Sequence, residues 1–151
     1  MGPVDDLAMP FLLMGAFRNL VDAVHTQLAD QGFPGVRATH GFAMQAIGAG
    51  CTSVELGERL GVSKQAAAKT ATTLERMGLV RREPHAHDGR QKLLVPTPAG
   101  QRMLRLSAAA FRAELGRWRE RAGDGNVDAT LATLSAAAAG GRGPTDLSDW
   151  S

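Results

Sequence analysis

Thr52 to Val95 reads TSVELGERLGVSKQAAAKTATTLERMGLVRREPHAHDGRQKLLV, and its internal punctuation decides what the chain builds. Ser53 is the expected cap of a first helix, its side-chain oxygen accepting a free first-turn amide, with Leu56 and Leu60 as the buried stripe. Leu60-Gly61-Val62-Ser63 breaks that helix. Gly61 tolerates the left-handed conformation of a C-terminal cap, Val62 plugs the core, and Ser63 caps the next helix. From Lys64 to Met77 the period is helical again: Ala67, Ala71, Leu74 and Met77 fall on one face, and Gln65, Ala68, Lys69, Thr72 and Arg76 on the other. Gly78 stops it. Leu79 to Arg82 then reads as a strand and Gln91 to Val95 as its return, with Asp88-Gly89 as the hairpin turn signal.

Helix, tight turn, helix and charged hairpin are the outline of a winged helix-turn-helix, a DNA-reading module. The fold class expected is mainly α, of the α+β kind, with helices at both chain ends packed beside the reading head. The outer face of the second helix carries small and polar residues with two cations, which suits close approach to a groove. Gln65 and Lys69 are the candidates for base edges, because a Gln amide pairs with adenine and a Lys reaches guanine acceptors. Ala68 leaves room between them. Ser63, Lys64, Thr72 and Thr73 are candidate phosphate contacts, as are Arg81, Arg82 and Lys92 on the strands. At the wing tip set by Asp88 and Gly89, Arg90 is placed to enter a narrow A·T-rich minor groove, with Asp88 orienting it.

Four pieces in order resemble one known family. They are Val54-Glu55-Leu56-Gly57-Glu58-Arg59-Leu60-Gly61-Val62-Ser63-Lys64-Gln65, Leu74-Glu75-Arg76-Met77-Gly78-Leu79-Val80, Asp88-Gly89-Arg90, and Leu94-Val95-Pro96-Thr97-Pro98-Ala99-Gly100. Together they look like the MarR family of bacterial transcription regulators. "LGVS" alone occurs in many helix-turn-helix proteins; the signal lies in the order and the spacing. The resemblance covers about 39–104 directly and the flanking helices only by length and pattern. It implies a homodimer whose dimerisation layer is built from both chain ends, and a small-molecule effector held between that layer and the reading head.

Charge distribution agrees with a nucleic-acid partner. The chain of 151 residues has a net charge of only +2. Residues 59–105, however, hold ten Lys or Arg against Glu75, Glu83 and Asp88, a local net of +7 that leaves −5 for the rest. A basic patch on an acidic body is the footprint of a DNA binder, although Lys and Arg also populate ordinary solvated faces. The length suits one domain. No run is read as the roughly 20 apolar residues of a membrane span, and the first twenty residues lack the pattern of a secretory leader. One cysteine excludes an internal disulfide and agrees with a cytoplasmic site of action.

Outward from the centre, Leu7, Phe11, Met14, Val21, Val24 and Leu28 recur at helical steps in a long helix starting near Pro10 and ending near Gly32. Its apolar stripe is long for one small head to cover, so part of it is expected at a subunit interface. Phe33-Pro34-Gly35 is a linker, and Thr39 is the expected cap of a helix carrying Phe42, Ala43, Ala46 and Ile47 inward. Thr97 with Pro98 starts a long helix whose Leu104, Ala108, Phe111, Leu115, Trp118 and Ala122 form a coiled-coil-like seam. Gly123-Asp124-Gly125-Asn126 breaks it before a last helix with Val127, Leu131, Leu134 and Ala138 inward. The division expected is 1–36 and 98–140 for dimerisation, 37–97 for DNA, and 141–151 as a flexible tail from which Trp150 docks or hangs free.

For an effector, the candidates are Arg18, His25, His40, Phe42 and Trp118; Phe42 and Trp118 also sit at core spacing, and His25 beside an apolar stripe suits a structural histidine. Cys51 has two readings: a thiol near a helix start with a lowered pKa, serving oxidant sensing, or a small buried apolar residue. Enzymatic readings find no support, for the four histidines and one cysteine make no metal-ligand cluster, and neither a phosphate loop nor a nucleophile elbow is present. His85 and His87 in the wing read as exposed or phosphate-facing. No metal or cofactor is expected. Two other readings stay open: a winged helix used for protein interaction without DNA affinity, and a constitutive or Cys51 redox-responsive DNA binder.

Overall fold

Side-chain caps set most of the helix starts in the computed structural model, which describes residues 4–141. A short 3-10 turn at Asp6–Ala8 leads into α1 (Met9–Asp30), with Pro10 in the first turn where its missing amide costs nothing. α2 (Ala38–Ile47) starts at Arg37 rather than at the expected Thr39, because the His40 ring reaches back to the Arg37 amide, Nδ1 accepting at 3.0 Å. Strand β1 (Cys51–Thr52) is followed by α3 (Ser53–Leu60). Here the cap is Thr52, not the expected Ser53. Thr52 Oγ1 accepts from the Glu55 amide at 3.2 Å while Glu55 accepts from the Thr52 amide at 3.1 Å, so two free donors are satisfied reciprocally.

The turn into α4 (Lys64–Arg76) runs as the sequence predicts. Gly61 is left-handed with φ 66°, and the Ser63 hydroxyl accepts from the Ala66 amide at 3.1 Å. α3 and α4 meet closely because the contact is made by small residues. A Cβ on Gly57 would lie 3.2 Å from the Val62 carbonyl oxygen and 3.3 Å from the Ala67 Cβ.

Strands β2 (Val80–Pro84) and β3 (Lys92–Pro96) lie one or two residues later than expected and pair antiparallel with Arg82 opposite Leu94. The sheet has a third member. β1 pairs with β3, Cys51 opposite Leu94, giving the order β1-β3-β2. Two residues carry no readable strand period, which is why the sequence shows only a lead-in there.

α5 (Pro98–Ala122) begins on Thr97 as expected, and α6 (Asp124–Ala138) follows after Gly123 alone; Gly125 and Asn126 are helical, so the break is shorter than predicted. Leu28, Met44, Ile47, Leu56, Leu60, Leu74, Leu79, Leu94 and Met103 are fully buried and join α1 to α5 in one core. The α1 stripe divides. Val21, Val24 and Leu28 are buried, whereas Leu7 and Phe11 are each 78% exposed and Met14 55%. On α6 only Val127 is buried; Leu131, Leu134 and Ala138 face outward, against expectation. Of the expected tail, 142–151, including Trp150, lies outside the described residues. The reading of α1 also needs correction in one respect: Asp6–Asp30 contains an 18-residue window of mean hydropathy 1.4, long and apolar enough by length and composition to cross a membrane.

The start of α5 is the tightest point in the core. A Cβ on Gly100 would overlap the Leu79 carbonyl oxygen and stand 3.0 Å from the Met44 methyl. Gly100→Ala is therefore expected to destabilise the chain by about 3 kcal/mol, as overpacking against backbone does. Thermal melting should show it as a fall of about 10 °C.

Candidate nucleic-acid interface

α4 presents Lys64, Gln65, Ala68, Lys69, Thr72 and Arg76 on its exposed face while Ala67, Ala71 and Leu74 are buried beneath. The division follows the 3.6-residue period and leaves no bulky side chain on the outer face. Lys64 and Gln65 stand on the first turn, where the free amides add positive potential. Thr72 and Thr73, expected as phosphate donors, are engaged within the helix: their hydroxyls donate to the carbonyls of Ala68 and Lys69, each at 3.0 Å. Each retains lone pairs but has spent its proton.

The strand arginines are also occupied. Arg81 pairs with Glu83, with Nη2 to Oε1 at 2.7 Å. Arg82 bridges two elements, its Nε lying 3.5 Å from Glu75 Oε2 and its Nη2 donating to Thr72 Oγ1 at 3.3 Å. These pairs are solvent-accessible and worth at most about 1 kcal/mol each, so a phosphate can compete for either guanidinium. Lys64, Lys69, Arg90 and Lys92 have no carboxylate partner among the described residues.

The wing is a seven-residue loop, 85–91, closed by the His85 amide donating to the Gln91 carbonyl at 3.1 Å. Inside it the His85 ring acts as a hub that the sequence reading missed. Its Nδ1 accepts from the amides of His87 and Asp88 at 3.2 and 3.3 Å, which requires that nitrogen to be unprotonated. Asp88 does act on Arg90, though through backbone: Oδ1 accepts the Arg90 amide at 3.0 Å, and the Asp88 carbonyl accepts from Gln91 at 3.1 Å. The Arg90 side chain is left exposed at the tip. A ring nitrogen two and three residues before a turn is the signal that marks His85.

Residues 42–91 match the family model described as the MarR family. Solved structures align along nearly the whole chain. A MarR-family transcriptional regulator from Rhodococcus sp. RHA1 is 23% identical with a TM-score of 0.66, covering 91% of this chain and 97% of that one. FabT from Streptococcus pneumoniae, in complex with DNA, is 19% identical with a TM-score of 0.74, covering 87% and 93%. CouR from Rhodococcus jostii RHA1, bound to p-coumaroyl-CoA, is 26% identical with a TM-score of 0.65, covering 90% and 94%. The fold is the MarR winged helix. A search of curated protein sequences finds no match.

Behind the MarR-type head, two adjoining cavities lie along α1. The inner one, about 90 Å³, is almost wholly apolar and runs between α1, α2 and α5 past Val24, Leu28, Phe42, Met103 and Phe111. The outer one, about 800 Å³, opens beside Leu13, Phe17, Arg18, Asp22 and Arg37. Val21, His25 and Ala38 line both. Of the effector candidates, Arg18, His25 and Phe42 therefore line cavity walls, and Phe42 stacks on Phe17 at 6.1 Å. Trp118 lines neither cavity, and His40 serves the start of α2 instead.

Cys51 is 1% exposed, in β1 against the core. Burial pushes its thiol above the ordinary value, with nearby Arg59 opposing only in part. The structure thus corrects the expectation of a lowered pKa and favours the packing reading. A disulfide reagent at neutral pH is expected to leave native Cys51 unlabelled and to label it fully in denaturant; fast labelling of the native protein would restore the sensor reading.

Proposed function

We propose that this chain is a sequence-specific DNA-binding transcriptional regulator that works as a homodimer in the bacterial cytoplasm, and that it is a repressor released by a small ligand. The observation that carries the proposal is the outer face of α4: small side chains with Gln65 and Lys69 one turn apart, together with an exposed arginine, Arg90, in the wing. On this reading Gln65 and Lys69 touch base edges in the major groove. Ser63, Lys64 and Lys92 meet phosphate, Arg81 and Arg82 exchange a carboxylate for a phosphate, and Arg90 enters the minor groove. Thr72 orients Arg82 instead of donating to DNA. The complex of FabT with DNA supports the placement of this fold on a duplex.

The dimer reading rests on α1. Its first half exposes Phe11, Leu12 and Met14, and the 3-10 turn before it exposes Leu7, an apolar stripe longer than an isolated soluble chain ordinarily leaves bare. A second copy is the occupant that also explains Leu131 and Leu134 on α6, at 48% and 39% exposure. Under this reading 1–36 and 98–140 form the dimerisation layer, and the membrane-like hydropathy of α1 belongs to a buried subunit contact. Two-fold symmetry then places two α4 helices about 34–36 Å apart on an inverted repeat. A ligand in the α1 cavities releases the operator if it binds the DNA-incompetent arrangement more tightly; the p-coumaroyl-CoA bound to CouR supports a small molecule as that ligand.

Binding to the DNA upstream of the chain's own gene, titrated over salt, tests the proposal. With about six to ten phosphates neutralised, log affinity should fall against log salt with a slope of about −5 to −9, alongside a protected inverted repeat. A shallow slope without a footprint, there and on genome-wide selection, would favour a protein-interaction module. Lys69→Ala and Gln65→Ala should each reduce discrimination at one base pair by about 1–3 kcal/mol. Arg90→Ala should weaken A·T-flanked sites selectively. Separately, Phe11→Glu is expected to convert a dimer to a monomer at micromolar concentration in sedimentation equilibrium, and a wild-type monomer would defeat the dimer reading.

A further inference from the structure

The joint between α1 and the reading head is the loop 31–37, where three side-chain contacts add to backbone turns and to the buried Val36. Arg102 of α5 donates to the Gln31 carbonyl at 3.3 Å and lies 5.4 Å over the Phe33 ring. The third contact is made by His40. Its Nδ1 accepts the Arg37 amide at 3.0 Å, closing the start of α2. A ring nitrogen that accepts an amide carries no proton of its own. The ring that makes this contact is therefore the neutral one protonated on Nε2.

We propose that His40 is an acid-released latch on this joint: the neutral ring holds loop and helix together, and protonation opens it. A proton on Nδ1 turns the acceptor into a donor aimed at the Arg37 N–H, so the contact at 3.0 Å becomes a repulsion. The surrounding charges sharpen the effect. From the loop, Arg37 stands beside the ring; from α1, His25 faces it, with Asp22 next to His25 and Arg18 further along the same outer cavity. α5 contributes Met103, Leu104, Ser107 and Phe111 to the neighbouring inner cavity and no charge there, Arg102 being turned to Gln31 and Phe33.

Both histidines are held below the ordinary value, chiefly by burial. For His40 the Arg37 and His25 charges add to burial; for His25, Asp22 opposes it. The sign follows from linkage. A group that titrates lower in the folded state binds fewer protons folded than unfolded, so stability falls as pH drops below about 6.5 and levels off below the folded pKa. Acid thus loosens the joint that carries α1, whatever the head reads.

Nuclear magnetic resonance of the full chain tests the latch. Long-range ¹H–¹⁵N spectra should show His40 as the Nε2–H tautomer at neutral pH, titrating below about 6.5. The Arg37 amide resonance should move with the same midpoint. His40→Gln, which keeps an acceptor at this capping position, should leave that amide insensitive to pH. His25→Gln removes a neighbouring cation and should raise the His40 midpoint. An Nδ1–H tautomer, a His40 midpoint at or above the ordinary value, or an Arg37 amide whose pH response survives His40→Gln would overturn the proposal. These outcomes leave the DNA-reading proposal untouched.

Discussion

Thr97 is the fastening on which the arrangement depends. Its hydroxyl donates to the Gly78 carbonyl at 2.5 Å and accepts the Gly100 amide at 3.1 Å, while its own amide donates to the Leu79 carbonyl at 3.0 Å. One residue thereby joins the end of α4, the entry to the wing and the first turn of α5. Gly100 lets the backbones close to contact, since any side chain there would strike Leu79. The consequence is mechanical. α5 runs 25 residues from this point to the outer layer, so a tilt of the long helix must carry the turn at Gly78 and the base of the wing with it.

The reading head was legible because its signals are local. Gly61, Ser63 and the spacing of Ala67, Ala71 and Leu74 each have one physical reading, and the structure follows them. Caps were missed where two residues offered the same chemistry: Thr52 and Ser53 both carry hydroxyls, and only the reciprocal bond with Glu55 decides for Thr52. β1 was invisible because two residues have no period; its existence depends on β3 lying alongside. The site was less readable than the module. That Thr72 and Thr73 spend their protons on the helix, or that Arg82 stands between Glu75 and Thr72, is a matter of rotamers and of which strand lies next to which helix. The His40 cap was missed for the same reason, since Arg37 carries no capping oxygen and histidine is an unusual partner for it.

The ion pairs of the head also bear on how affinity would be distributed. Arg81 and Arg82 are each held near a carboxylate at the surface, so their geometry is partly set before any partner arrives. Pre-orientation lowers the entropy lost on binding, while the carboxylate must be displaced or left near the phosphate. The two effects oppose each other. Lys64 and Lys92, which have no carboxylate partner among the described residues, carry no such offset, and on the proposed reading they contribute to salt-dependent attraction without displacing a carboxylate.

Communication between the outer layer and the head is constrained by the core they share. Val24 and Leu28 of α1, Met44 and Ile47 of α2 and Met103 of α5 are one packed cluster, and close-packed interiors move between discrete arrangements instead of deforming continuously. Arg59 extends the tie by donating to the Ala46 carbonyl at 2.7 Å, fixing α3 against α2. A molecule wedged beside His25 therefore meets a wall that is continuous with the head. α2, α3 and α4 are packed in series from that wall to the exposed face of α4. Between α1 and α2 the loop 31–37 combines backbone turns and the buried Val36 with the side-chain contacts of Arg102 and His40, so the link rests on both.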